Sequence, residues 1–156
     1  MSTQQVETLA VLLERAEAER DDALRQMRDA QQHLEAARAQ QHQLVQYRDE
    51  YTQRWTKSFA RPTTVSILGC YQNFGQRLDE AIEQQAGISH QAERRVELSR
   101  KLLLEREMRV ASVRKLLERR RSDINRRTER QEQKATDEQA ARAALNRPSP
   151  LLQPSH

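Results

Sequence analysis

Apolar residues recur at alternating steps of three and four along the first third of the chain, which is the spacing of a coiled-coil seam. With Val6 as an a position and Leu9 as a d position, twelve of the sixteen seam positions up to Ser58 are apolar. The sixteen are Val6, Leu9, Leu13, Ala16, Arg20, Ala23, Met27, Ala30, Leu34, Ala37, Gln41, Leu44, Arg48, Tyr51, Trp55 and Ser58. The pattern predicts that residues 1–58 form the first helix of a coiled coil.

A short break follows this helix. Pro62 disfavours helical backbone at Arg61 and cannot continue a helix through itself, because it lacks the backbone N–H. Thr63, Thr64 and Ser66 are each able to cap a following helix. The sequence therefore predicts a hairpin turn at residues 59–66, and so short a connection favours antiparallel helices.

The second helix is predicted over residues 67–145, followed by a disordered tail at residues 146–156. Its apolar seam is Tyr71, Phe74, Leu78, Ala81, Gln85, Ile88, Ala92, Val96, Leu103, Val110, Val113, Leu117 and Ile124. Two successive steps of four, from Ile88 to Ala92 to Val96, predict a stutter that locally unwinds the supercoil. The predicted fold is all-α, a long antiparallel two-helix coiled-coil hairpin. Residues 121–145 would extend beyond the first helix as a basic overhang.

Two matched stripes flank the break, each with steps of four, three and four. The first stripe is Gln40, Leu44, Tyr47 and Tyr51, and the second is Phe74, Leu78, Ala81 and Gln85. An antiparallel hairpin would place Tyr51 against Phe74, near the turn. The same pairing would set Tyr47 against Leu78 and Leu44 against Ala81, and Gln40 would meet Gln85.

All six aromatic residues lie between Tyr47 and Phe74. They are expected to pack the end of the hairpin. Two helices are too thin to bury all of them, so the surplus is expected to form an exposed patch of the kind found at protein interfaces. Tyr51, at a d position, is expected to pack, and Tyr47, at a g position, to face outward.

Composition agrees with a coiled coil, since hydrophobic residues make up 36% and charged residues 32% of the 156-residue chain. Disorder is the competing interpretation for so polar a chain, and the sustained seam argues against it. The net charge of +4 is unevenly placed, because residues 109–147 hold twelve basic and six acidic residues.

No catalytic constellation is visible in the sequence. The histidines at positions 33, 42, 90 and 156 are scattered, and no spacing joins them to Cys70 as a metal site. The sequence predicts a protein that is not an enzyme and has no cofactor, metal or small-molecule substrate. A single cysteine, no secretory signal and no long apolar run are compatible with the cytoplasm.

Two binding functions remain open from these patterns, a generic coiled-coil scaffold and a basic nucleic-acid-binding coiled coil. Arg119–Arg121, Arg126, Arg127 and Arg130 would carry nucleic-acid binding through contacts to phosphates. Acidic residues are interleaved with them, and no aromatic is available for base stacking, so a nucleic-acid partner is not expected.

The aromatic segments resemble a known family. The run from Leu44 to Tyr51 resembles the Leu-x-x-Tyr-x-x-x-Tyr segment of the flagellar export protein FliJ family. The run from Tyr71 through Phe74 and Leu78 to Ile82 is similar to the family's Tyr-Gln-x-Phe-x-x-x-Leu-x-x-Ala-Ile segment. The close match covers about residues 40–85.

The resemblance implies a cytoplasmic component of the flagellar type III protein export apparatus, at the inner face of the membrane and similar to the central stalk of a rotary ATPase. Implied partners are the ring of the export ATPase FliI, the export gate protein FlhA, and flagellar export chaperones. The gate-binding role falls on the two stripes, Gln40, Leu44, Tyr47, Tyr51, Phe74, Leu78, Ala81 and Gln85. Gln85 departs from the histidine expected there, and no equally sharp motif places the ATPase contact.

Overall fold

A computed structural model describes residues 2–147 and contains two helices, α1 (Ser2–Ser58) and α2 (Val65–Leu145), with no strand in this range. The predicted all-α helical hairpin is confirmed. Most of the expected disordered tail, residues 148–156, lies outside the described residues. The chain divides into two compact units. We call residues 17–109 the hairpin unit, and residues 1–16 together with residues 110–156 the terminal unit.

The helices of the hairpin unit run antiparallel. Ion pairs between them join residues that rise in number along α1 to residues that fall in number along α2. They are Glu19 with Arg109 at 3.1 Å and with Arg106 at 3.5 Å, Arg38 with Glu93 at 2.9 Å, and Arg48 with Asp79 at 2.8 Å. These pairs are partly exposed, so they fix register more than they add stability.

The heptad seam predicted for α1 is confirmed. Fifteen of its sixteen positions are buried or half-buried, and only Ser58, at the end of the helix, is exposed. The most deeply buried members are four alanines spaced seven apart, Ala16, Ala23, Ala30 and Ala37. A methyl side chain fills little space, so the helix that packs against these positions approaches the α1 backbone closely.

The connection between the helices is two residues shorter than the sequence indicated. It spans residues 59–64, and α2 begins at Val65 instead of residue 67. Thr64 explains the earlier start, because its Oγ1 accepts a hydrogen bond from the backbone N–H of Ile67 at 3.4 Å. This is the geometry of an N-cap, in which a side-chain oxygen satisfies a backbone donor of the first turn.

The seam of α2 differs from the expected one, and the stutter is absent. Gly75 and Ser89 are buried seam residues, whereas Phe74 and Ile88 are exposed. A continuous series of buried and half-buried positions follows alternating steps of four and three, at Tyr71, Gly75, Leu78, Ile82, Gln85, Ser89, Ala92, Val96, Ser99, Leu103, Arg106, Val110, Val113 and Leu117. The expected series followed apolar side chains alone. It therefore bypassed a glycine and a serine that are small enough to occupy the seam.

The last third of α2 lacks a buried face. Between residues 118 and 147 every side chain is exposed except that of Ile124, which is half-buried. Neither helix in the described part of the chain is long and apolar enough to cross a membrane.

Candidate partner-binding surface

An aromatic cluster joins the two helices near the turn, with Tyr51 at its centre. The Tyr51 ring lies 4.8 Å from Phe74, 5.4 Å from Tyr71 and 6.0 Å from Trp55, measured between ring centroids. Phe59 extends the cluster towards the turn through Trp55 at 5.2 Å and Tyr71 at 5.1 Å. The expected approach of Tyr51 to Phe74 is confirmed. Such pairs contribute about 0.5–1.5 kcal/mol each beyond the burial of their area.

Two members of the cluster are substantially exposed. Tyr47 is 47% exposed and Phe74 is 40% exposed, and their ring centroids lie 6.5 Å apart in an edge-to-face arrangement. Tyr51 beside them is half-buried. The expectation that Tyr51 packs while Tyr47 faces outward is therefore confirmed.

The exposed rings border a shallow groove of about 530 Å³, which we call the aromatic groove. It is lined by Tyr47, Tyr51, Trp55, Cys70, Asn73, Phe74 and Arg77. Apolar rings with an amide and a guanidinium at the edge form the composition typical of an interface anchor site. Ring contacts hold Tyr47, Tyr51, Trp55 and Phe74 in place, and side chains that are already ordered lower the entropy cost of binding.

Arg48 supports the groove from a seam position of α1. Its Nε and Nη2 donate hydrogen bonds to the carboxylate of Asp79 at 2.8 and 3.4 Å, and its Nη1 donates to Thr52 Oγ1. Gly75 lies against it, and a Cβ added there would meet the guanidinium carbon at 3.8 Å, an ordinary van der Waals contact. A cation is tolerated in the seam because Asp79 and Thr52 accept hydrogen bonds from its guanidinium.

These contacts shift three pKa values. The hydrogen bond from Arg48 lowers the pKa of Asp79, and the same hydrogen bond raises the pKa of Arg48. Desolvation raises the pKa of Tyr51, and the neighbouring Tyr71 raises it further. Arg48 and Asp79 therefore remain a charged pair at neutral pH, and Tyr51 remains a neutral phenol.

The eight stripe residues fall into three classes of exposure. Gln40, Tyr47 and Phe74 are exposed, Leu44, Tyr51 and Ala81 are half-buried, and Leu78 and Gln85 are buried. The amide of Gln85 donates a hydrogen bond to the backbone carbonyl of Ala37 at 3.0 Å, whereas it was expected to meet Gln40. The exposed residues are thus available to a partner, and the buried ones hold the helices in register. The role of all eight stripe residues in gate binding stays a prediction.

Sequence reasoning missed four residues of this region, namely Asn73, Gly75, Arg77 and Asp79. Gly75 was detectable, because it completes the four-three spacing between Tyr71 and Leu78. Asp79 was detectable only once the register was known, as the carboxylate opposite the polar seam residue Arg48. Asn73 and Arg77 carry no signal in the pattern.

A second groove lies in the terminal unit. It measures about 450 Å³ and is lined by Gln4, Gln5, Thr8, Leu9, Leu116 and Arg120. Leu12 and Leu116 are large apolar side chains that remain exposed in this unit. Within residues 2–147, no group of three or more histidine, cysteine, aspartate or glutamate side chains is placed to hold a metal ion.

Comparison with known proteins identifies the family. The family described as "Flagellar FliJ protein" matches residues 5–149. The chain is 30% identical to the flagellar FliJ protein of Salmonella typhi over 140 residues, which cover 90% of this chain and 95% of that protein. It is 29% identical to the flagellar FliJ protein of Escherichia coli K12 with the same coverage. No solved structure gave a significant match. With nearly its whole length matched, the chain belongs to the FliJ family of flagellar proteins.

Proposed function

We propose that this member of the FliJ family is a non-enzymatic component of the flagellar protein export apparatus. It would couple the FliI ATPase ring to the export gate protein FlhA, and it would handle export chaperones. Family membership supports the place in flagellar export. The observation that carries the gate contact is the exposed pair Tyr47 and Phe74 above a packed aromatic cluster.

The aromatic groove suits a protein partner better than a small molecule. It is open and shallow, and tyrosine, tryptophan and phenylalanine anchors are the residues that dominate binding energy at protein interfaces. Gln40 and Tyr47 share one side of α1, and Phe74 lies across from Tyr47 on α2. A partner that covers this face would contact both helices at once, so it would also sense how they are packed.

The ATPase contact is assigned to the terminal unit by its charge. The sequence gives the hairpin unit fifteen basic and fifteen acidic residues, whereas the terminal unit has twelve basic and eight acidic ones. The arginines of residues 119–130 are exposed. A cationic surface of this kind favours an acidic partner surface and accelerates its association.

The test is Tyr47→Ala in the full-length chain. Loss of an exposed aromatic anchor should weaken binding to the cytoplasmic part of the gate protein by roughly thirtyfold or more, measured by titration calorimetry. Helical content and thermal unfolding should stay near those of the parent, because Tyr47 flanks the seam. The same variant should reduce motility.

Val45→Ala is the matched control, since Val45 is exposed on α1 two residues away. It should leave gate binding unchanged. Equal binding by Tyr47→Ala and the parent would refute the gate assignment. Melting of the helices by Tyr47→Ala would instead show that the tyrosine is structural. A generic scaffold would tolerate both substitutions.

A further inference from the structure

Residues 51–78 carry positive charge without any compensation. This stretch contains four basic residues and neither aspartate nor glutamate. Arg54, Lys57, Arg61 and Arg77 are all exposed, and within residues 2–147 none of them takes part in an ion pair. Their charges therefore face solvent, although the hairpin unit as a whole is neutral.

Three exposed aliphatic side chains lie beside these charges, at the start of α2. Val65 is 87% exposed, and Ile67 and Leu68 are also exposed. Ile67 is 42% exposed and Leu68 is 40% exposed, and α1 ends at Ser58. Burying an aliphatic side chain is worth roughly 1.5–3 kcal/mol, so exposing three together is a cost that folding alone does not explain.

Aromatic residues flank these side chains in the sequence. Trp55, Phe59 and Tyr71 are half-buried and in mutual contact, with ring centroids 5.1 to 5.5 Å apart. Tryptophan and tyrosine are enriched where an apolar phase meets water, because their rings are apolar and each carries a polar group. Exposed aliphatic residues, aromatic residues and unpaired cations in one segment are the combination that binds a lipid interface.

We propose that the hairpin tip, residues 54–68, docks on the surface of an anionic lipid bilayer. Val65, Ile67 and Leu68 enter the boundary between headgroups and acyl chains, and Arg54, Lys57 and Arg61 face the lipid phosphates. Apart from Trp55, which also lines the aromatic groove, this surface shares no residue with the proposed gate contact, so different variants test the two proposals.

Three exposed apolar residues further along α2 lack this charge pattern. Leu98, Leu104 and Met108 are exposed on α2, and each is adjacent in sequence to an acidic residue, Glu97, Glu105 and Glu107 respectively. Carboxylates are repelled by anionic lipids, so the acids beside these residues oppose binding to the same surface. The contrast favours a bilayer at the tip over a general tendency of this protein to associate through apolar residues.

The experiment measures binding of the full-length chain to vesicles of phosphatidylcholine, with or without phosphatidylglycerol, by co-sedimentation. Trp55 is the only tryptophan in the chain, so its fluorescence reports on the tip. We expect binding only to the anionic vesicles, and quenching of Trp55 by lipids brominated on their acyl chains. Raising the salt concentration should weaken the binding, because screening reduces attraction to the surface.

Replacing Val65, Ile67 and Leu68 together by serine should weaken vesicle binding by roughly tenfold or more. Val65→Ser alone should weaken it several-fold, and this highly exposed position carries little risk to folding. Replacing Arg54, Lys57 and Arg61 by glutamine should cost roughly fivefold for each cation. Leu98→Ser, Leu104→Ser and Met108→Ser together form the matched control and should leave binding unchanged.

Two results would overturn the proposal. One is failure of the parent chain to bind anionic vesicles. That result would refute the proposal even if the tip variants impaired binding to a protein partner. The other is binding that survives the tip substitutions and disappears when Arg119, Arg126 and Arg130 are replaced by glutamine. That result would place the contact on the basic part of α2.

Discussion

At the residue scale, Arg48 shows how a charge is accommodated in an apolar seam. The side chain occupies a heptad position, yet its guanidinium leaves the seam over Gly75 and reaches Asp79 on the other helix. Cross-helix pairs of this kind add little stability when exposed, and their value lies in fixing one alignment of the helices. In this protein the alignment is the one that brings Tyr47 beside Phe74.

The Arg48–Asp79 pair predicts a specific pH dependence. Because the hydrogen bond from Arg48 lowers the pKa of Asp79 below its ordinary value of 3.8, the pair contributes stability above that value and loses it as the pH falls through the lowered pKa. Asp79→Asn should therefore lower the melting temperature slightly at about pH 6, and this difference should shrink at about pH 2.5. Circular dichroism melts of both proteins at the two pH values provide the measurement.

Glu83→Gln is the control for that experiment. Glu83 is an exposed acid of the same helix and takes part in no ion pair in the described range. It should leave the melting temperature nearly unchanged. A difference between parent and Asp79→Asn that persists undiminished at low pH would show that the carboxylate charge is not what Arg48 uses.

At the element scale, α1 was predictable from sequence and α2 only in part. The seam of α1 is rich in leucine and alanine, so apolar periodicity alone places it. In α2 the seam includes Gly75, Gln85 and Ser89, which hydropathy does not distinguish from surface residues. Phe74 and Ile88 are apolar yet exposed. A seam assigned from apolar residues alone therefore included them and contained a stutter that the helix does not have.

The same limit applies to the candidate site. The heptad positions of Tyr47 and Tyr51 on α1 were sufficient to predict one packed and one exposed ring, because a and d positions face inward and g positions flank them. The aromatic groove itself was not predictable, since its edge residues Asn73 and Arg77 follow from the three-dimensional pairing of α1 with α2. The length of the turn was overestimated, because it depended on which of three possible caps is used.

The corrected seam of α2 predicts opposite responses at two adjacent residues. Ser89 is 5% exposed and its hydroxyl has no hydrogen-bond partner in the described structure, whereas Ile88 is 48% exposed. Ser89→Ala should raise the free energy of unfolding by about 1 kcal/mol, by removing an unsatisfied buried polar group. Ile88→Ala should change it by less than about 1 kcal/mol.

Urea denaturation followed by circular dichroism measures both effects. The seam expected from the sequence, with its stutter at Ile88, predicts instead that Ile88→Ala is strongly destabilising, because Ile88 would then be a core residue. Its truncation would then cost about 2–5 kcal/mol, as large-to-small core substitutions do. A loss of that size at Ile88, or destabilisation by Ser89→Ala, would contradict the seam described for α2.

At the scale of the whole molecule, the two units present different chemistry to partners. The hairpin unit is neutral in total, and its distinctive surfaces are the aromatic groove and the acid-free tip. The terminal unit carries a net charge of +4 and a groove bordered by leucines and Arg120. Because these surfaces are separate, one chain is able to hold unlike partners at once. For the same reason, a substitution in one unit need not disturb the surface of the other.

The proposed contact of the terminal unit with the FliI ring predicts that the chain stimulates ATP hydrolysis by FliI and that this stimulation depends on charge. Arg119, Arg126 and Arg130 are exposed, and their separations of seven and four place them on one face of α2. Replacing all three by glutamine should reduce stimulation of ATP hydrolysis by FliI several-fold and flatten its dependence on salt, since charges at an interface act mainly on association.

Replacing Arg94, Arg95 and Arg100 by glutamine is the control, because it removes the same charge from the hairpin unit and should leave stimulation intact. Both variants should bind the gate as the parent does. Full stimulation by the first variant, or equal loss in both, would remove the basis for assigning the ATPase contact to the terminal unit.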